Sequence, residues 1–558
     1  MSCRSFFLFV LAFFCSFVTL PLTAQYQGRV QGWDDADAAQ QYADWAKQTM
    51  ENGRYAEALA GLERAADFAN VSSDLSYQLG LARSHEGKNR NSIIQAMDLA
   101  IDINRWVIYS KNDALVLKAR QLAAMRRFSS ALVSLNLIDQ NTILADPVMN
   151  AETAILRLHI LKGLADSSGN AQDLARFRGL LMTAMDRFPR DPRPLRIFFE
   201  YAKARNPDIS QMPPNDLNLL ELVLRRLPFL LESDQELAWM AAPFMQNTED
   251  ARRYVSSYRA GGIPNIRNRD FYPHPGSIPV ALRFGLIDDI TAVEELFSGT
   301  RGFNYPLPSG IAANGTPVLE KNILIEVYNL LGSEEGRELF TLKLLSFSGI
   351  IISDDDHDGY TNSQSVYHSG VIREYKIDIE QANIYEFSID FSTDGAPLFA
   401  RVPVSGHTES AAVQWERYPY VGQASLAGEN FFFPPGSFLF APVSFNVLGG
   451  SANLPGLLYP LPANQLTLTR RSMVSFCSYL TRPSVEFDGA VEKIYLESGI
   501  PRQAVEVLRE KNVSITEFER GLPVVQYVDL DLDGRMETIR RFHRPNHEYL
   551  WPESNLEF

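Results

Sequence analysis

The sequence predicts an α+β protein of several domains, with a helical solenoid and further helices in its N-terminal half and a β-rich region in its C-terminal half. Three observations lead to this fold class. Apolar residues recur at helical spacing between residues 39 and 345, apart from two segments rich in glycine and proline, one at 261–279 and one that ends at Pro317. From Ile350 onwards they alternate with polar residues, as in half-buried strands. The chain of 558 residues is also too long for one hydrophobic core.

Residues 1–24 have the composition of a secretory signal peptide. Arg4 supplies a positive charge, residues 6–20 are almost wholly apolar, and the segment ends on the small residue Ala24. Cleavage after it would release an exported protein into the periplasm or onto the cell envelope or surface. Two alternatives remain open, which are an uncleaved membrane anchor and lipid attachment at Cys15.

The charge and the cysteine content narrow the class of protein. A formal net charge of -15 argues against a nucleic-acid or anionic-membrane partner, because such partners need a basic surface. Cys3, Cys15 and Cys477 are the only cysteines, and two of them lie in the signal segment. The cleaved protein could therefore form no internal disulfide, which suits a large bacterial periplasmic or surface protein. Cys477 lies in an apolar run and is predicted to be a buried structural residue.

Three helix hairpins can be aligned between residues 39 and 140. Gly53 breaks the chain between two helices, and the small Ala58 lets a neighbouring helix approach closely. The step from position 58 to position 92 is 34 residues, whereas the step from 92 to 131 is 39 and implies about five inserted residues within 105–111. The repeat-defining residues are Trp45, Gly53, Tyr55, Ala58 and Leu62 in the first unit, Leu79 and Gly80 in the second, and Phe128 and Ala131 in the third.

These units resemble the tetratricopeptide repeat (TPR), whose period is 34 residues. The resemblance implies a scaffold that binds a protein or peptide partner in the concave surface of stacked helix hairpins. The alternative is an unrelated helical bundle with accidental spacing. We predict TPR-like repeats in residues 25–145, a further helical region of degenerate repeats in 146–260, and a mixed helical and linker region in 261–349.

The C-terminal part is predicted to contain a β-rich domain over residues 350–482, either a sandwich or an incomplete propeller-like sheet. Residues 483–558 are predicted to form a helix hairpin followed by a strand unit. The two helices of that hairpin are expected over 485–498 and 502–511, with Pro501 at the start of the second.

Two short acidic segments share one spacing. Carboxylates or an amide occupy positions one, three, five and nine, and glycine occupies position six. The alternation turns oxygen atoms towards one point while the glycine permits a sharp turn. The residues are Asp354, Asp356, Asp358 and Asn362 in the 354 loop (residues 354–362), and Asp529, Asp531, Asp533 and Glu537 in the 529 loop (residues 529–537).

These segments resemble the Asp-x-Asp-x-Asp-Gly calcium loops of extracellular and periplasmic proteins, and the resemblance implies bound calcium. The alternative is a solvated acidic turn between strands. A third segment, the 378 loop (residues 378–386), fits the same frame with incomplete ligands, since Ala382 and Asn383 stand where the 529 loop has aspartate and glycine. The loop therefore recurs even where ion ligands are missing.

The chain contains no phosphate-binding loop, no Gly-x-Ser-x-Gly elbow and no His-Glu-x-x-His zinc helix. We therefore expect an exported, noncatalytic interaction scaffold with calcium-stabilised loops. One alternative is a cell-envelope hydrolase of glycan or peptide, for which a cleft with two carboxylates within residues 350–558 would be the mark. Another is a surface adhesin. The sequence leaves the partner and the oligomeric state open.

Overall fold

A computed structural model describes residues 35–65, 72–139, 145–205, 209–260, 273–298, 306–307, 310–311, 316–356, 359–451 and 453–542. The predicted signal peptide and Asp358 of the 354 loop lie outside these ranges. Within them, none of the helices is long and apolar enough to cross a membrane.

The N-terminal half is an array of helices joined by short turns. Helices that follow one another in sequence contact one another along the array, which is the pattern of stacked hairpins. The predicted helical N-terminal half is thereby confirmed, and the stack is compatible with TPR-like repeats. The helices are α1 (Asp35–Glu51), α2 (Tyr55–Arg64), α3 (Ser73–His85), α4 (Arg90–Ile103), α5 (Lys111–Ala124), α6 (Phe128–Asn136), α7 (Pro147–Ser168), α8 (Ala171–Arg187), α9 (Arg193–Arg205), α10 (Pro214–Leu230), α11 (Leu237–Ala241) and α12 (Thr248–Arg259).

The turns inside the first three hairpins share a backbone feature. Gly53, Gly87 and Arg126 have φ angles of 75°, 61° and 55°, in the turns α1–α2, α3–α4 and α5–α6. Glycine adopts this left-handed conformation without steric cost. Because each turn reverses the chain, these turns lie at one end of the stack, here called the turn end. The segments that join successive hairpins, of which residues 104–110, 137–139 and 145–146 are described, lie at the other end, here called the loop end.

The predicted insertion between the second and third hairpins is an ordered loop at residues 104–110. The buried carboxylate of Asp74 accepts hydrogen bonds from the backbone N–H groups of Val107, Ile108 and Tyr109, at 2.7, 3.1 and 2.9 Å. Three donors compensate for the removal of this carboxylate from water. The loop therefore folds over the first turn of α3, and residues 72–80 are all buried.

Five further helices accompany a large sheet, four of them before Gly349 and the fifth between Pro462 and Tyr479. They are α13 (Ser277–Arg283), α14 (Asp289–Ser298), α15 (Lys321–Leu330), α16 (Glu334–Leu345) and α17 (Arg470–Phe476). The strands are β1 (Pro306–Leu307), β2 (Gly310–Ile311), β3 (Val318–Glu320), β4 (Gly349–Ser353), β5 (Ser363–His368), β6 (Val371–Ile377), β7 (Phe387–Phe391), β8 (Pro397–Pro403), β9 (Ser410–Arg417), β10 (Tyr420–Leu426), β11 (Glu429–Phe432), β12 (Val443–Leu448), β13 (Leu457–Pro462), β14 (Tyr479–Pro483), β15 (Val491–Glu497), β16 (Ile500–Leu508), β17 (Lys511–Glu519), β18 (Leu522–Val528) and β19 (Thr538–Arg541).

Fifteen of these strands form one open sheet in which almost every strand pairs with its neighbours in sequence. All pairs are antiparallel except β3 with β4, and a separate hairpin of β12 and β13 is inserted between β11 and β14. The sheet is a continuous meander that runs without interruption across residue 483. Together with the helical half it confirms the predicted α+β class.

The predicted helix hairpin over 485–498 and 502–511 is wrong, because β15, β16 and the start of β17 occupy this stretch. Ser498 and Gly499 both have positive φ, at 51° and 79°, and they form the two-residue turn that joins β15 to β16. Two consecutive left-handed residues are typical of tight hairpin turns between antiparallel strands. The helix-forming residues of this stretch are overridden by pairing with the adjacent strand β14.

The main hydrophobic core lies where helices α13–α16 and the β12–β13 hairpin pack on the sheet. Phe340 and Leu344 of α16 and Phe387 of β7 are completely buried in it. Cys477 is also buried there with a free thiol, as its apolar surroundings predicted. Beyond β16 none of the strands contributes a buried residue to this core among the described residues. The C-terminal strands therefore extend past the helical cover.

Candidate functional site

The repeat-defining residues lie at contacts between helices of the array. Ala58 and Ala131 are fully buried, and Leu62 and Leu79 are buried beside them in the helical cores. A Cβ atom on Gly80 would lie 2.3 Å from the terminal methyl of Met97, so its absence allows α4 to approach α3. These side chains therefore hold the stack together.

The aromatic repeat residues line the same contacts. Tyr55 is partly buried and stacks on His85, with 3.8 Å between ring centroids. Trp45 covers a glycine of α2, where a Cβ atom would lie 2.3 Å from its ring. Phe128 packs in the same way on Gly163, where a Cβ atom would lie 2.2 Å away. Gly53 forms the first turn, as predicted from its position between two helices.

The three acidic loops share two hydrogen bonds. In each loop the carboxylate at position one accepts the backbone N–H of position six, at 2.8 to 2.9 Å. The residue at position six has a positive φ in every case, with 88° at Gly359, 61° at Asn383 and 98° at Gly534. The side-chain oxygen at position nine accepts the N–H of position two, at 2.6 Å for Asn362, 2.7 Å for Glu386 and 3.3 Å for Glu537.

All three loops connect adjacent antiparallel strands, namely β4–β5, β6–β7 and β18–β19. Because strand direction alternates along the meander, these three connections emerge at the same end of the sheet. The loops therefore form a repeated structural unit of this sheet. What differs among them is the group that neutralises their remaining carboxylates.

The 529 loop brings four carboxyl groups together. One oxygen atom each from Asp529, Asp531, Asp533 and Glu537 lies within 4.8 Å of the other three. Asp529 is buried, and its Oδ2 accepts the N–H of Gly534, while its Oδ1 is buried without a hydrogen-bond partner among the described residues. A buried oxygen of this kind is costly unless a ligand satisfies it. The other three carboxylates are exposed.

The 354 loop meets the turn end of the helical array. Asp356 Oδ2 accepts hydrogen bonds from Arg126 Nη1 at 2.8 Å and from Gln381 Nε2 at 3.0 Å. Asp356 Oδ1 is buried and has no partner in the described part of the chain. Asp354 Oδ2 accepts the N–H of Gly359. Thus Asp354 and Asp356 face different groups, and Asn362 caps the loop through the N–H of Asp355.

The 378 loop makes the closest contact with the helical array. The backbone N–H of Arg90 donates to the carbonyl of Ala382 at 2.8 Å, and its guanidinium donates to the carbonyl of Gln381. In return, the Asn383 side-chain amide donates to the carbonyl of Gly87. The Arg90 guanidinium also lies over the ring of Tyr360 in the 354 loop, 4.5 Å from its centroid.

One more ion pair and a capping bond complete this contact. Arg127 pairs with Glu380 at 3.4 Å, and both side chains are largely exposed. Arg90 is the first residue of α4, so its N–H is one of the donors that a helix leaves without an internal partner. Ala382 supplies the missing acceptor. The sheet therefore caps a helix of the array.

Two carboxyl groups of the 378 loop have strongly shifted pKa values. Burial raises the pKa of Asp378 to about 6, although the N–H groups of Ala382 and Asn383 oppose the shift. Burial, followed by the nearby Asp378 charge, raises the pKa of Glu386 to about 7. Asp378 is close enough to the helical array to be attracted by the charge of Arg90, and both carboxyls accept backbone amides of their own loop.

The sequence did not predict the roles of the arginines at the turn end or the contact of Asn383 with the helical array. They act on residues between 230 and 296 positions away in the chain, and no local pattern marks such partners. The one available signal was the alignment of the incomplete 378 loop with the two intact loops. That alignment indicated a loop shape that recurs within the chain even where the ion ligands are missing.

Comparison with known proteins gives a distant relative in sequence and a slight likeness in structure. None of the family models matches this chain. An uncharacterized protein of Treponema pallidum (strain Nichols) is 22% identical over 596 residues, which cover 88% of this chain and 72% of that protein. The solved structure of Acl4, an assembly chaperone of RpL4, has a TM-score of 0.27 and 11% identity, over 54% of this chain and 95% of that chain. Neither comparison assigns an activity, and the structural likeness is too low to bear on the fold.

The buried carboxyl pair predicts a pH dependence of stability. In an unfolded chain the side chains of Asp and Glu have pKa values of about 4. The folded protein therefore binds more protons than the unfolded chain between about pH 4 and about pH 7. The contribution of these two carboxyls to the free energy of unfolding is consequently largest below that range and is lost as the pH rises through it. We expect the Asp378→Asn, Glu386→Gln double variant to show a flatter dependence of melting temperature on pH than the wild type.

The measurement is thermal unfolding by circular dichroism at a series of pH values. Glu409→Gln, which changes an exposed glutamate outside the contact, is the matched control and should keep the wild-type slope. An unchanged slope in the double variant would contradict the assignment.

Proposed function

We propose that this chain is an exported, noncatalytic scaffold whose helical array binds a protein or peptide partner. The observation that carries the proposal is the division of the array into two ends. The turn end is occupied by the 354 and 378 loops of the sheet. The loop end carries exposed apolar side chains, namely Val107, Leu137 and Val148, which are 75%, 65% and 72% exposed.

Exposed apolar side chains that lie together are typical of surfaces that bind another protein. Val133 of α6 lies one helical turn before Leu137, the residue that caps the end of this helix, and is 60% exposed, so it extends the same face. By contrast, the loop at residues 104–110 folds over α3 and fills the space beside its first turn. We therefore propose the loop end, rather than a groove along α3, as the partner surface.

The state of the carboxyl groups in the 378 loop supports a noncatalytic role for that loop. General acid catalysis by a carboxyl group needs a raised pKa and access to substrate. Asp378 and Glu386 have raised pKa values, yet they accept backbone amides of their own loop beside the docked helical array. The raised pKa values are thus explained by packing. Export rests on the signal-like composition of residues 1–24.

Site-specific photocrosslinking tests the partner surface. A photoreactive amino acid at position 133 of the full-length chain, expressed in cells that make the protein, should give a discrete crosslinked partner. Leu137→Asp should abolish that crosslink, because a charge on an apolar interface is costly to bury.

Phe229→Asp is the matched control, since Phe229 is an exposed apolar residue of α10 elsewhere in the array and is 82% exposed. The crosslink should persist in this variant. Loss of the partner in Phe229→Asp with retention in Leu137→Asp would contradict the loop-end surface. A partner that is captured equally by both variants would contradict it as well.

We further propose that the 529 loop binds calcium. Calcium takes oxygen ligands at about 2.4 Å, so two ligands on opposite sides of the ion are about 4.8 Å apart. The spacing of the four carboxyl oxygens meets this limit, and the unpartnered Oδ1 of Asp529 would be one ligand. A bound ion would hold β18 to the edge strand β19. The 354 loop is a weaker candidate, because Asp356 already pairs with Arg126.

Calorimetric titration with calcium tests this site. The wild type should bind calcium, and Asp529→Asn should bind it at least about tenfold more weakly because the variant replaces a buried ionic ligand by a neutral one. The melting temperature of the wild type should fall in a chelator, whereas that of Asp529→Asn should not.

Glu519→Gln, an exposed change on strand β17, should behave as the wild type in both measurements. An equal calcium response in the wild type and in Asp529→Asn would show that the 529 loop is a solvated acidic turn.

A further inference from the structure

A cavity of about 510 Å³ lies between the helical array and the start of the sheet. Helices α9, α11 and α13 form one side of it, and the end of β3 with the start of α15 forms the other. Its volume is that of a site for a small molecule. The cavity is distinct from the loop end and from the 529 loop, because neither contributes a residue to its lining.

Aromatic side chains form the apolar wall of the cavity. Trp239 stacks on His274, with 5.3 Å between ring centroids and 12° between ring planes. Phe199 and Phe244 form a second stacked pair, with centroids 5.9 Å apart. Burial lowers the pKa of His274, which keeps its ring neutral at neutral pH. Stacked neutral rings provide a surface for the apolar body of a ligand and for a cation over a ring face.

The positively charged groups that line the cavity are already neutralised. Arg196 pairs with Asp234 at 2.7 Å and with Glu236 at 2.8 Å. Lys203 pairs with Glu326 at 2.9 Å. Arg283, the remaining cation of the lining, lies 3.7 Å from the same glutamate. An anionic ligand would have to compete with these carboxylates.

Two carboxyl groups of the lining are not neutralised in this way. Glu200 on α9 and Glu320 at the end of β3 have no hydrogen-bond or ion-pair partner in the described part of the chain. Burial raises the pKa of both. Lys162 and Arg196 attract Glu200 at longer range, and Lys203 attracts Glu320. Each of these three cations is paired with another carboxylate, at 3.3 Å for Lys162, 2.7 Å for Arg196 and 2.9 Å for Lys203.

A carboxylate that is removed from water needs a compensating positive charge. Among the described residues, none pairs directly with Glu200 or Glu320. We propose that the cavity binds a small organic ammonium cation, whose charged group lies against Glu200 and Glu320 and whose apolar body packs on Trp239 and Phe199. The arrangement disfavours a neutral ligand, because two carboxylates would then remain uncompensated.

This site joins two parts of the molecule. Glu200 and Trp239 belong to the helical array, whereas Glu320 belongs to the sheet. Asp354 and Gly359 of the 354 loop also line the cavity. A ligand in this position therefore contacts the helices, the sheet and one of the docked loops at once.

The test uses the full-length protein and three probes of similar size, which are 2-phenylethylamine, 2-phenylethanol and 3-phenylpropanoate. We expect saturable calorimetric binding of the amine at concentrations up to about 10 mM, and no saturable binding of the neutral or anionic probe. Glu200→Gln and Glu320→Gln should each weaken amine binding by about tenfold or more, because each removes one charged contact.

Two further variants keep the test independent of folding defects. Glu232→Gln removes an exposed carboxylate outside the cavity and should leave amine binding unchanged. Ala204→Trp places a large side chain at the exposed rim of the cavity without changing its charge, and it should block the amine. Each variant is compared with the wild type by circular dichroism and thermal melting.

Amine binding should also weaken as the pH falls, because Glu200 and Glu320 become protonated. Lys162, Arg196, Lys203 and Glu326 are the other charged groups that act on this pair. Three results would overturn the proposal: no saturable binding of the amine, equal binding of 2-phenylethanol, or unchanged affinity in both glutamine variants and in Ala204→Trp.

Discussion

The architecture depends on one contact, between the turn end of the helical array and the hairpin loops of the sheet. At this contact, backbone groups at the end of a helix form hydrogen bonds with residues of the 378 loop. Arg90 opens helix α4 with an N–H that no residue of its own helix can accept. The carbonyl of Ala382 accepts it at 2.8 Å, and the side chain of Asn383 donates back to Gly87. Each side thus satisfies backbone groups that the other side leaves unpaired. These hydrogen bonds hold the turn end of the helical array against the 378 loop.

The three acidic loops show how one backbone shape can serve different purposes. All three keep the bond from position six to the carboxylate at position one and the bond from position two to position nine. In the 378 loop burial and backbone amides hold the carboxyls, and in the 354 loop Arg126 pairs with Asp356. In the 529 loop four carboxyl groups converge with a buried oxygen unsatisfied. The shape is common to all three, while the partner of the negative charge differs.

Much of the fold could be predicted from local pattern, since helical periodicity and strand alternation are local properties. The helices of residues 35–260 and the strands around 371–391 fall where the pattern placed them. The stretch from 491 to 511 was misassigned, because glutamate, arginine and leucine favour helices locally while the turn at Ser498 and Gly499 and the pairing with β14 decide for strands. The contact of Arg90 with Ala382 could not be predicted, because it joins residues that are nearly 300 positions apart and depends on how two independently patterned regions meet.

The cavity likewise has no local sequence signal. Glu200, Trp239 and Glu320 lie on three separate elements, and each is an ordinary residue in its own segment. Glu200 and Glu320 stand out only because the other charged groups of the lining have paired with one another, whereas Trp239 supplies an apolar surface. A candidate site of this kind follows from the packing of the helical array against the sheet.

Hydrogen exchange at the backbone amide of Arg90 in the full-length protein tests this account most directly. In a helix without external partners this amide would have no acceptor and would exchange at the rate of an exposed first-turn group. The contact with Ala382 predicts that it is protected to the same degree as the paired amides of strand β6. Exchange at the unprotected rate would contradict the contact, and with it the fixed arrangement of the helical array on the sheet.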